Sequence, residues 1–197
     1  MTSGTVLGMS FDEVVAMPGL HAEADVAYIP LPNIVDIVFT DRLAADVLTP
    51  TAFVFPFLDD GRVVLATNRR RGLEVPGGHR DQLPDGQGLE TPEETAAREA
   101  FEEAGAVVAD LVPIGFLRAR TTAAKPEGYR YPHPLSCQQF YAGRVTAMHD
   151  YVENDECLAP EALTPEDAEK RLRGRALELY RRAYRTMFPV PMPAATM

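Results

Sequence analysis

The run Arg98-Glu99-Ala100-Phe101-Glu102-Glu103-Ala104-Gly105 sets three carboxylates within five residues. At helical spacing Glu99, Glu102 and Glu103 share one side, because residues three and four apart are surface neighbours. Ala97, Ala100, Phe101 and Ala104 fall on the other side and can pack inward. Like charges so close repel one another, and a hard divalent cation with oxygen ligands would relieve the repulsion. Acidic residues opposite an apolar stripe also describe an ordinary solvated helix face. The flanking elements therefore decide what the carboxylates are for.

Those flanks are well specified. Thr91-Pro92-Glu93-Glu94 offers Thr91 as N-cap, Pro92 at the first helical position and Glu94 as capping-box partner. Gly105 suits the left-handed residue just past the helix end. Upstream, Val75-Pro76-Gly77-Gly78-His79 is a glycine bend after a short apolar run, where the backbone can pass close to a ligand. The arrangement is a strand, a glycine bend, a loop and an acidic helix.

From Glu90 onward the segment resembles the Nudix box, whose pattern is G-x5-E-x7-R-E-U-x-E-E-x-G-U with U aliphatic. Glu90, seven intervening residues, Arg98-Glu99, Ala100, Phe101, Glu102-Glu103, Ala104, Gly105 and Ala106 follow it. Both U positions are alanine, smaller than the usual residue. The front departs from the pattern: Gly78 lies twelve positions before Glu90 instead of six, so residues 80–88 carry an insertion of six. The inserted stretch is polar and turn-rich, as a surface insertion should be. The resemblance covers residues 48–188, with 1–47 an N-terminal extension packing on the domain and 189–197 a flexible tail.

The resemblance implies an α/β fold, the Nudix-type α/β/α sandwich with a mixed β-sheet, the box helix on one side and a C-terminal helix. It implies hydrolysis of a diphosphate bond in a nucleoside diphosphate linked to a further group, using Mg²⁺ or Mn²⁺. Glu99, Glu102 and Glu103 match the family's metal-holding positions, with Glu103 and Glu99 ranked above Glu102, and the carbonyl of Gly78 matches a backbone ligand. Arg98 matches a residue that braces the carboxylates, and Glu90 one with a structural role. A base or further ligand comes from a later loop in the family. Glu153 in Glu153-Asn154-Asp155-Glu156 is the first choice, Glu156 the second and Glu127 a weaker rival. For the substrate phosphates, Arg70 represents the run Arg69-Arg70-Arg71, since arginine suits phosphate, and Arg118 and Arg120 on a strand could line the cleft. Tyr129, Tyr131 and His133 could stack a base or simply cover core. The alternative is a non-catalytic Nudix-fold ligand sensor or interaction module. Retention of every box carboxylate favours the enzyme; the lengthened loop favours the alternative. Many relatives pair as homodimers, which the N-terminal segment could serve.

Composition agrees. A chain of 197 residues suits one domain with an added segment, and 46% apolar residues suffice for a core. A net charge of −10 opposes binding to a nucleic-acid strand or anionic membrane; a small-molecule diphosphate partner is what the resemblance implies. Cys137 and Cys157 make neither a disulfide framework nor a zinc pattern. No apolar run reaches transmembrane length and no signal peptide is evident, so a cytoplasmic location is the default.

The remaining elements follow from periodicity and turn signals. Residues 1–9 read as loose. Ser10-Phe11-Asp12-Glu13 opens a short helix that Pro18-Gly19 ends. Residues 34–39 read as a strand and 41–48 as a helix. Residues 52–58 and 62–67 are strands around the hairpin turn Asp59-Asp60-Gly61. Residues 114–121 and 136–145 are longer strands. Thr164-Pro165-Glu166-Asp167 opens a long helix with Leu172, Ala176, Tyr180, Ala183 and Met187 along one stripe, ended by Pro189.

Overall fold

The computed structural model describes residues 8–27 and 29–189. Residues 1–7 and 190–197 lie outside the described residues, and of the stretch 1–9 read as loose, Met9 is instead buried. The elements run α1 (Phe11–Ala16), β1 (Leu20–Ala24), β2 (Asn33–Val38), β3 (Thr51–Phe57), β4 (Val63–Asn68), β5 (Gly72–Glu74), β6 (Gly77–His79), α2 (Pro92–Ala104), β7 (Ala106–Thr121), β8 (Leu135–Met148), β9 (Cys157–Leu163), α3 (Pro165–Arg171) and α4 (Gly174–Met187).

The strands join in one mixed sheet of order β1-β2-β7-β8-β3-β4-β5, with β6 added to β3 and β9 to β4. Among the named strands of the described residues, only β3 and β8 pair in parallel, Thr51 facing Gln138 through to Phe57 facing Arg144. Strand β3 is buried on both faces, which explains its nearly unbroken apolar sequence. Successive side chains alternate between faces. Ala52 and Val54 meet Ala96 and Ala100 of α2. Phe55 and Phe57 meet Leu179, Tyr180 and Ala183 of α4 on the other side. The result is the expected α/β/α sandwich, with α2 and α4 as its outer layers.

Residues 8–47 continue the same sheet. Strand β2 pairs with β7 from Asn33 opposite Thr121 to Val38 opposite Phe116, and β1 adds outside it. Met9 and Val14 bury against Val38, Phe116, Leu135 and Cys137. The helix expected over 41–48 is only a 3₁₀ turn at Asp46–Leu48. Met9 N–H donates to the Leu43 carbonyl and Ala45 N–H to that of Met9, so another segment takes the backbone groups a helix would have used. The long terminal helix is broken as well. Arg173 is extended and Gly174 adopts φ +53°, separating α3 from α4. Among the described residues no helix is long and apolar enough to cross a membrane, and both cysteines are buried and free.

The insertion before the acidic helix is a small hairpin with a packed base. Gln82 pairs with Leu89, Leu83 N–H donates to the Gly88 carbonyl, and Glu90 N–H to that of Asp81. The Arg80 side chain is 6% exposed. It donates to the carbonyls of Asp46, Thr49 and Glu90. Removing Leu83 through Gly88 joins Gln82 to Leu89, which already face each other, and restores a separation of six between Gly78 and Glu90. That deletion is expected to leave the melting temperature within a few degrees. Arg80→Ala is expected to lower stability by roughly 1–3 kcal/mol, because carbonyls lose their donor. Thermal melts decide the point; an unfolded deletion variant would mean the hairpin tip is packed.

Candidate functional site

Helix α2 is fixed at both ends before it presents any chemistry. Thr91 Oγ1 accepts from Glu94 N–H at 3.2 Å and Glu94 Oε2 accepts from Thr91 N–H at 2.8 Å. At the other end Gly105 takes φ +62°, and its N–H returns to Phe101 O. The buried face is Thr95, Ala96, Ala100 and Ala104. This strict i, i+4 row of alanines lets the helix lie close on β3. Phe101, expected to point inward, is instead 49% exposed and sits edge-on to His149. One residue is about 100° around the helix, which takes Phe101 off the alanine row.

With that face down, Glu99 and Glu103 project one turn apart into a cleft of about 1210 Å³. The glycine bend runs beside them. Gly77 N–H donates to Glu103 Oε2 at 2.9 Å. A Cβ on Gly78 would displace the Glu99 carboxylate, and one on Gly77 would run into the Ala52 carbonyl, so glycine lets the bend pass close to both. Arg98 holds the assembly together. It donates to Glu90 Oε1 at 2.9 Å, Glu99 Oε1 at 3.0 Å, Glu102 Oε2 at 2.9 Å and the His79 carbonyl at 2.9 Å. One guanidinium thus ties the loop end, the helix and the bend.

Burial pushes the Glu103 carboxyl up to about 7, against the Gly77 hydrogen bond, with the charges of Glu99, Glu156 and Glu74 adding to the rise. Burial also raises Glu99, opposed by Arg98. Arg98 holds Glu90 below its ordinary range. Two carboxylates that are hard to ionise alone, facing open space, form a donor set that a cation would satisfy. Among the described residues no three His, Cys, Asp or Glu side chains close into a cage.

The other expected residues divide. Glu102 is 54% exposed on Arg98 and does not line the cleft. Glu153 does not line it either; it pairs with Arg69 at 3.1 Å. Glu156 does, because Asn154 Oδ1 accepts from the N–H groups of Glu156 and Cys157 and turns the loop there. Glu127 is exposed and outside the lining. Arg70 is an exposed turn residue, whereas Arg71 borders the cleft beside Glu74 at 2.7 Å. Arg118 and Arg120 require correction. Leu117, Ala119 and Thr121 face the cleft, while Arg118 and Arg120 both bond Asp36 on the opposite side of the strand. Sequence reasoning missed Glu74 and Asp81 on the acidic rim. It also missed the stacked pair Phe53–Phe140, 4.8 Å apart, in the floor, and Arg173 and Arg175 at the start of α4. Glu74 and Asp81 flank the bend within four residues, and that proximity was the available signal.

The NUDIX domain family model matches residues 47–183. Among solved structures, a mutant of the Bacillus subtilis pyrophosphohydrolase BsRppH is similar at 20% identity and a TM-score of 0.60, covering 89% of this chain and 100% of that one. The NUDIX domain of Shewanella oneidensis NrtR, complexed with ADP ribose, is similar at 17% identity and a TM-score of 0.52, covering 71% and 88%. At such identities the likeness is one of fold. No curated protein sequence matches significantly.

Proposed function

The chain belongs to the NUDIX domain family, and from that premise we propose that it is a metal-dependent hydrolase of a diphosphate bond in a nucleoside diphosphate linked to a further group. The observation that carries this reading is the pair Glu99 and Glu103, half-buried, facing the cleft and held by Arg98 and the glycine bend. These two would hold Mg²⁺ or Mn²⁺, with Gly78 beside them and Glu102 a more distant member. The bound cation would neutralise the diphosphate and acidify a water. Glu156 is assigned as the base in preference to Glu153, because it is the carboxylate of that loop that borders the cleft. Arg71 is the arginine of its run assigned to the phosphates, in place of Arg70. The partner is a small anion, consistent with a net charge of −10 that opposes a nucleic-acid strand.

The test is purified protein with a panel of nucleoside diphosphate derivatives, led by ADP ribose, the ligand named for the NrtR domain. Release of phosphomonoester products with Mg²⁺ or Mn²⁺, stopped by a chelator, is the expected result. Tight binding with no product would instead support a ligand-binding module, the reading that the lengthened loop before Glu90 favours. Light scattering checks whether two copies pair.

The base assignment has its own test. Glu156→Gln is expected to lower turnover roughly tenfold to a hundredfold, at the weak end for a general base because the side chain is largely exposed. Glu153→Gln should stay within about twofold, having lost only a surface ion pair. The reverse ranking in steady-state kinetics would return the role to Glu153.

A further inference from the structure

Part of the cleft lining is aromatic. Tyr129, Tyr131 and His133 come from the loop over residues 122–134, and His79 follows the glycine bend. Tyr131 stacks on His79 with ring centroids 4.8 Å apart and planes inclined by 24°. Tyr129 stands edge-on to Tyr131 at 5.5 Å and to His133 at 6.4 Å. The Arg130 guanidinium lies 5.2 Å from the Tyr131 ring centre.

Neither tyrosine belongs to a hydrophobic cluster of the described residues, in contrast to Tyr141 and Tyr180. Covering core is therefore not what these rings do. Their half-buried faces turn to the cleft, on a loop stiffened by Pro126, Pro132 and Pro134. The platform is also tied to the acidic rim, since Arg98 bonds both Glu99 and the His79 carbonyl. A ligand with its phosphates at the carboxylates would lay its next planar group along this part of the lining. Tyrosine offers a flat face at little cost in side-chain entropy, and stacking tolerates any base because every base has a π-face.

We propose that Tyr131, supported by His79 and flanked by Tyr129 and His133, is the stacking subsite for the nucleobase of the substrate. This deepens the hydrolase reading and rests on it for the placement of the phosphates. It makes a nucleoside, rather than a bare sugar, the group recognised.

The experiment is calorimetric titration of the full chain, with Mg²⁺, using adenosine 5′-monophosphate, uridine 5′-monophosphate and ribose 5-phosphate. Wild type is expected to bind both nucleotides about tenfold or more tighter than the sugar phosphate, the range set by one stacked base. Tyr131→Phe should keep that gap. Tyr131→Leu, which retains apolar bulk, and Tyr131→Ala should close it, with melting temperatures confirming that both are folded. Equal binding of nucleotide and sugar phosphate by wild type, or a gap surviving in both Leu and Ala variants, would overturn the assignment. A gap that persists in a protein with no diphosphate hydrolysis would refute the hydrolase reading alone. Hydrolysis without a gap would refute the subsite alone.

Discussion

Glu103→Gln is expected to reduce diphosphate hydrolysis on the order of a thousandfold, as loss of a preorganised charge at a metal-assisted site does. The substitution keeps size and shape, and an amide oxygen can still accept the Gly77 N–H that Glu103 Oε2 accepts at 2.9 Å. The fold should survive, so the loss reports on charge. A second readout needs no substrate. With the Glu103 carboxyl pushed up to about 7 from an ordinary 4.5, the folded metal-free protein holds its proton more tightly than the unfolded chain. The stability this contributes is complete below about pH 4.5 and is lost as pH rises through about 7. Metal-free wild type should therefore lose stability across that window, and Glu103→Gln should lose less. Undiminished turnover in the variant, or identical stability profiles, would remove Glu103 from the centre of the site.

The parts legible in the sequence were those set by local rules. The capping boxes at Ser10 and Thr91, the left-handed Gly105 and the hairpin at Asp59-Asp60-Gly61 each depend on a few neighbouring residues, and each fell where their chemistry put it. The box helix and its acidic face followed for the same reason. What stayed hidden depends on contacts between distant segments. Strand β1 is exposed along its whole length and carries no buried alternation to read. Strand β9 contains Pro160 and Glu161 and is held by pairing with β4. The turn at Asp46 replaced a helix because Met9, more than thirty residues away, took its hydrogen bonds. Within the site, the Glu99 and Glu103 pair was readable from spacing. Which carboxylate of the later loop met them was not, since that depends on the turn made by Asn154.

Arg118 shows the same limit most sharply, and replacing its partner should have the largest effect on stability. A period of two says that Arg118 and Arg120 share a face, but not which face. In the fold Arg118 is 2% exposed and Asp36 3%. The guanidinium meets both carboxylate oxygens, at 2.9 and 2.7 Å, and Arg120 adds a bond at 2.9 Å. The remaining Arg118 nitrogen donates to the carbonyls of Val14, Val15 and Met17, satisfying the open end of α1. Asp36→Ala leaves that buried charge without its counter-ion, which costs about 3–5 kcal/mol, or roughly 10 °C in melting temperature for a domain of this size. Substrate affinity should be unchanged below the melt, because Arg118 and Asp36 lie across the sheet from the cleft. A weakened affinity for substrate in Arg118→Lys at preserved stability would instead put the arginine at the phosphates. A lowered melting temperature with intact affinity makes it the clasp that fixes the N-terminal segment to the sheet.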